Sequence, residues 1–166
     1  MTSIIKVDQI TPNTSGGFVD IPAVFSRIQA ASNFNATYNA WTEVPYDTVV
    51  YDTHSLADLS NNGFTIPSGL GGYYNVQAFV RANGWLADRF IIQLHIDGTD
   101  DIFFEAADHT DTASKYGSLQ LNGVVRLTDG QTATIELYHS YGSSGTQSVY
   151  GGAVNNWFQI SRLGSA

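Results

Sequence analysis

Apolar and polar residues alternate along much of the chain with a period of two, which is the period of a strand whose side chains point to opposite faces. Between residues 73 and 82, Tyr74, Val76, Ala78 and Val80 share one face, and Tyr73, Asn75, Gln77 and Phe79 share the other. Phe90, Ile92, Leu94 and Ile96 oppose Ile91, Gln93 and His95. Ile135, Leu137 and His139 oppose Glu136, Tyr138 and Ser140 within a strand predicted over residues 132–141. Residues 40–52, 102–106, 116–127 and 156–163 read as further strands. Pro45 marks an edge or a bulge, and Asn122-Gly123 a second candidate bulge. Residues 23–31 read as strand or helix. Asn62-Gly63, residues 68–72, Asp97-Gly98 and Asp129-Gly130 are turns; residues 52–62, 108–114 and 142–152 are loops. Roughly eight to ten strands at spacings of about ten residues predict an all-β antiparallel sandwich or jelly roll.

The 166 residues suit one domain, placed at residues 23–166. Charged residues make up only 13% of them. This points to a surface held by Ser, Thr, Asn and Gln, or covered by other subunits. The net charge of −8 argues against a nucleic-acid partner, which needs clustered Lys and Arg, and against an anionic membrane. The absence of cysteine excludes disulfides, thiolate zinc sites and a catalytic thiol. No stretch has the length of a membrane-spanning helix.

Residues 1–22 stand apart. Ile4, Ile5, Val7 and Ile10 are apolar, but Lys6 and Asp8 interrupt them, so the start is not a signal peptide, and synthesis in a cytoplasm without export is expected. The turn-rich stretch 11–17 then separates them from the rest. This reads as an arm that docks on another protein; a first edge strand of the same domain is the alternative. The opening Ser-Ile-Ile-Lys-Val-Asp-Gln-Ile also resembles the recurrent start of structural proteins in phages of aquatic bacteria.

The stretch from Asn62 to Ala82 carries a second likeness. Gly63-Phe64, then Pro67, then Gly72-Tyr73 resembles the centre of the tumour-necrosis-factor-like jelly roll, above all the globular head of complement component one, subcomponent q. In that family a short strand ends in Pro and Gly-Tyr opens a long central strand. The turn at Asp129-Gly130 and the closing strand Trp157-Phe158-Gln159-Ile160 resemble the same pattern, with Asp-Gly where the family has Gly-Asp, and without its Phe-x-Gly. The resemblance implies a trimeric, non-enzymatic head with Tyr73, Phe79, Tyr116 and Trp157 near a three-fold axis. The competing reading puts these residues in the core of one subunit, because alternation fixes two faces but not which is inside.

Candidate chemistry is sparse. Gly142-Ser143-Ser144-Gly145 lacks the strand and helix of a nucleophile elbow, and the glycines at 69–72 precede a strand, not a helix that could hold a phosphate. His54, His95, His109 and His139 are scattered. Asp97, Asp100, Asp101, Asp108, His109 and Asp111 form one acidic concentration whose carboxylates, above all Asp97, Asp100 and Asp101, offer oxygen ligands for calcium, the one cofactor considered, but their spacing matches no EF-hand loop and a solvated acidic loop pair is the alternative. Trp41, Trp85 and Tyr150 lie in or beside loops and offer rings for a glycan or host receptor. The expectation is a phage virion protein on the particle surface: a capsid decoration or stabilising protein, or a short fibre, since no shaft repeat is present. A tail-fibre tip or adhesin is the alternative.

Overall fold

The structure, a computed structural model, describes residues 23–82, 89–97, 99–107, 117–140 and 145–165, with 99–107 as backbone. The strands are β1 (Phe25–Gln29), β2 (Phe34–Thr37), β3 (Trp41–Glu43), β4 (Thr48–Asp52), β5 (Ala57–Asp58), β6 (Gly63–Thr65), β7 (Gly72–Arg81), β8 (Phe90–Ile96), β9 (Thr99–Ala107), β10 (Ser118–Leu127), β11 (Thr132–His139), β12 (Thr146–Val149) and β13 (Asn156–Gly164). One sheet runs β10-β7-β13-β1-β4 and the other β5-β6-β11-β8-β9, with β3 also pairing β11 and β12 pairing β2. The ladders are antiparallel, as an all-β sandwich of hairpins and long connections requires.

The alternating strands turn their apolar faces toward each other. Tyr74, Val76, Ala78 and Val80 of β7 are buried, as are Phe90, Ile92 and Leu94 of β8 and Ile135 and Leu137 of β11. Phe158 of β13 crosses the gap: its ring lies 4.6 Å from Phe64 of β6 in the opposite sheet and 5.9 Å from Tyr46. Within residues 23–31 the chain forms a strand and not a helix: β1, hydrogen-bonded on both sides between β13 and β4.

The Gly-Phe and Gly-Tyr pairs have a steric reason. A Cβ on Gly63 would sit 2.2 Å from the carbonyl oxygen of Ala133 on β11, and a Cβ on Gly72 would sit 2.1 Å from that of Gly164 on β13. Both glycines let a strand start against a neighbouring backbone.

Several details depart from the sequence pattern. Residues 40–52 are two strands in different sheets: β3 pairs β11 and β4 pairs β1. The chain crosses between the sheets around Pro45, which has no N–H to keep a ladder going, and buries Val44 and Tyr46 on the way. The bulge expected at Asn122-Gly123 is absent, since β10 pairs β7 in unbroken register from Ser118 to Leu127. The register shifts instead in β13 between Arg162 and Gly164, in the β1–β4 ladder between Arg27 and Ile28, and in the β8–β9 ladder between Leu94 and Ile96. Strands β5 and β12 are short and partly exposed, which is why their sequences read as loop, and β2 falls in a stretch to which the pattern assigns no element. The expected arm, residues 1–22, lies outside the described residues.

Candidate interaction surfaces

The outward face of the β7 sheet is built from the positions that alternate with the core. Across its middle, the register aligns Tyr51, Gln159, Gln77 and Asn122. They form a transverse hydrogen-bonded row: the Tyr51 hydroxyl donates to Gln159 Oε1 at 3.4 Å, Gln159 Nε2 donates to Gln77 Oε1, and Gln77 Nε2 donates to Asn122 Oδ1 at 3.4 Å. One row along, Phe79 and Trp157 are cross-strand partners with stacked rings 6.2 Å apart. The Arg27 guanidinium lies 4.4 Å above the Trp157 ring, and its Nη2 donates to the Ala153 carbonyl at 3.0 Å. At the other end Tyr73 and Val124 are 47% and 54% exposed. This face therefore combines aromatic rings, side-chain amides and aliphatic groups, a composition suited to contact with another protein surface.

A carboxylate fixes the loop below that end. Asp129 accepts the backbone N–H groups of Gly69 and Gly71, both at 2.7 Å, and these bonds hold its carboxyl below the usual range. Asp129 thus joins the β10–β11 turn to the loop that enters β7.

The outward face of the β11 sheet has a different character. Trp41 and Tyr138 are cross-strand partners with rings 5.5 Å apart; Trp41 remains 43% exposed. The Tyr138 hydroxyl donates to Asn39 Oδ1, and the Arg89 guanidinium lies 5.9 Å from the Tyr138 ring. The next row pairs Glu43 with Glu136 and Glu136 with Gln93. Glu136 Oε2 accepts from Gln93 Nε2 at 2.7 Å and lies 3.7 Å from His95 Nδ1. Beyond this row is a depression of ≈ 300 Å³ lined by Glu43, Ser60, Asn61, Asn62, His95, Thr132 and Thr134. Charge is divided between the two sheets. The strands of the β7 sheet carry Arg27, Arg81, Arg126 and Arg162 against Asp52. Those of the β11 sheet carry Glu43, Asp58, Asp100, Asp101, Glu105 and Glu136, with no Lys or Arg.

The residues singled out from sequence separate accordingly. Tyr73, Phe79 and Trp157 lie on the outward face of the β7 sheet and not in the core; Tyr116 lies outside the described residues. Trp41 lies on the β11 face, whereas Tyr150 lies beside Arg81 of the β7 sheet, with the guanidinium 5.6 Å from its ring. They do not form one site, and Trp85 lies outside the described residues. Asp97 accepts from the backbone N–H of Thr132 at 2.7 Å, which ties the end of β8 to the start of β11. The side chains of Asp100, Asp101, Asp108, His109 and Asp111 lie outside the described ones, and among the described residues no group of three metal-ligating side chains converges. Tyr138, Glu43 and Arg27 escaped the sequence reading. Each gains its meaning from a cross-strand neighbour, and only the register reveals the neighbour.

No protein-family model matches the chain, and no curated protein matches it in sequence. Solved structures do. The chain is similar to the Eiger TNF of S. frugiperda, with 11% identity, a TM-score of 0.70, and coverage of 88% of this chain and 96% of that one. It is similar to the globular domain of the zebrafish complement 1qA protein, with 14% identity, a TM-score of 0.67, and coverage of 87% and 100%. It is also similar to murine APRIL, with 12% identity, a TM-score of 0.66, and coverage of 86% and 100%. The fold is the tumour-necrosis-factor-like jelly roll. At these identities the likeness is one of fold. Within the TNF-like fold, the motif of Gly63-Phe64, Pro67 and Gly72-Tyr73 corresponds to the entry of β6, its end, and the entry of the central strand β7.

Proposed function

We propose that the chain is a non-enzymatic bacteriophage virion protein: a trimeric jelly-roll head displayed on the particle surface and attached through residues 1–22. A capsid decoration or stabilising role is preferred over a short fibre. The observation that carries the self-association is the outward face of the β7 sheet. It leaves Tyr73, Phe79 and Trp157 outside the core, beside side-chain amides and exposed Val124, on a sheet whose strands carry mainly arginine in a chain of net charge −8. The TNF-like fold supports the same reading, and the opening Ile-Ile-Lys-Val-Asp sequence supports a virion context. Docking of Ile4, Ile5, Val7 and Ile10 onto another virion protein follows from the apolar pattern of the arm.

The test is the native mass of the purified chain. A species near three times 18.0 kDa is expected. Replacing Phe79 by Arg, which puts a charge into the proposed contact, is expected to give monomers with an unchanged far-ultraviolet spectrum. A monomeric parent chain at all concentrations overturns the self-association reading. Labelling of intact particles with an antibody to the chain tests the location, with signal over the capsid expected. A second reading, receptor or glycan binding, is favoured by the exposure of Trp41 on the other sheet.

A further inference from the structure

We infer that the outward face of the β11 sheet is a binding site for a neutral oligosaccharide, laid along β11 from the Trp41–Tyr138 pair to the depression beside Asn61. This deepens the glycan-binding reading by giving it a site and a ligand class, and it does not depend on self-association through the β7 sheet.

The first component is a ring platform. Trp41 is 43% exposed although its ring leans on Tyr138, so it is braced from one side and open on the other. Tyr138 is itself fixed through its hydroxyl to Asn39, so the platform keeps its shape before anything binds. An aromatic face carries partial negative charge and attracts the slightly positive C–H patch of a pyranose ring, while its area stays apolar.

The second component is a row of acceptors. Glu43 and Glu136 are directly opposite on adjacent strands and on the same face as the rings. Like charges in that arrangement are destabilising unless donors are supplied. Gln93 supplies one to Glu136 at 2.7 Å, whereas Glu43 has no hydrogen bond or ion pair among the described residues. His95 Nδ1 is buried without a hydrogen-bond partner, 3.7 Å from the Glu136 carboxylate. Sugar hydroxyls donate and accept at once and suit both groups, since an ionised carboxylate only accepts.

The third component is the depression of ≈ 300 Å³, whose lining adds the hydroxyls of Ser60, Thr132 and Thr134 and the amides of Asn61 and Asn62. From Tyr138 to Thr132 the strand covers ~20 Å at its usual rise, longer than a single sugar ring. The sign of charge selects among glycans. The Glu43–Glu136 carboxylate pair lies in the middle of this track and Arg89 stands only at its Tyr138 end, so a sialylated, sulfated or phosphorylated unit over the carboxylates is repelled.

The test is binding of the full chain to an immobilised panel of neutral, N-acetylated, sialylated and sulfated oligosaccharides, with Trp41→Ala and Glu43→Ala measured alongside. Retention on uncharged members is expected, with at least a tenfold loss in each variant and no change in native mass. Melting curves confirm folding, and Glu43→Ala, at an exposed position, carries the test if Trp41→Ala is unstable. No retention on any member, a preference for acidic members, or binding unchanged in the folded variants overturns the proposal. None of these outcomes alters the mass measurement, so the two readings fail separately.

Discussion

At Gly63 a single methyl group decides whether β6 and β11 can meet. Because the added carbon would lie 2.2 Å from a backbone oxygen and not from a side-chain tip, the strands must separate to accept it. Gly63→Ala is therefore expected to destabilise the fold by about 1–3 kcal/mol or more, read from urea unfolding. Gly130 is the control: it has open space around it, and its positive φ of 82° makes its cost one of backbone strain only. His139 shows a different residue-scale effect. It is buried and hydrogen-bonded through Nε2 to the Ala36 carbonyl at 3.0 Å. Burial lowers its pKa and outweighs that bond, which raises it. The unfolded chain then takes up the proton more readily, so this contribution to stability is present above the unfolded pKa of about 6.5 and is lost as pH falls from there toward the lower folded value. His139→Gln is expected to flatten the loss of stability between about pH 6.5 and 5 relative to the parent, as seen in melting temperature against pH. Neither effect is legible in the sequence. A glycine shows that freedom exists, but the carbonyl it must avoid lies 70 residues away in β11.

The elements were legible in proportion to their length and burial. Strands β7 and β11 alternate over eight or more residues between a dry face and a wetter one, and the pattern survives in the sequence; β8 is buried on both faces but keeps Gln93 and His95 opposite its apolar side. Strands β2, β5 and β12 have two to four residues and partly exposed faces, so no periodicity could develop. The break inside residues 40–52 was half visible, because Pro45 showed that a ladder must stop but not that the chain would change sheets. Connections between elements depend on single carboxylates. Asp129 holds the loop before β7 through Gly69 and Gly71. Asp129→Ala is expected to speed amide hydrogen exchange at those two glycines at least tenfold while leaving exchange in the middle of β7 unchanged. Equal acceleration in both places would mean that the residue supports global stability instead. Asp58 plays a similar part after β5: hydrogen bonds from Ser60 and Thr65 are the main reasons its carboxyl falls to about 2, so its clasp persists well into acid.

For the whole molecule, the architecture could be read from strand spacing and from the Gly-Phe, Pro and Gly-Tyr positions, whereas the placement of Trp157 and Phe79 could not. A strand tells which residues share a face; only the opposing sheet tells which face is dry. Phe158 settles this for β13 by meeting Phe64 across the core, which turns Trp157 outward. Phe158→Ala is expected to cost ~3–5 kcal/mol, because it removes the ring that both sheets share. The division of charge between the sheets has a consequence for motion as well as for contact. With mainly arginines on the strands of one sheet and only carboxylates on those of the other, the strand residues contribute an electric dipole across the thickness of the head. A charged lattice would turn such a body as it diffuses and present one sheet to the surface before any atoms touch. Its capture rate, more than its final grip, would then depend on ionic strength.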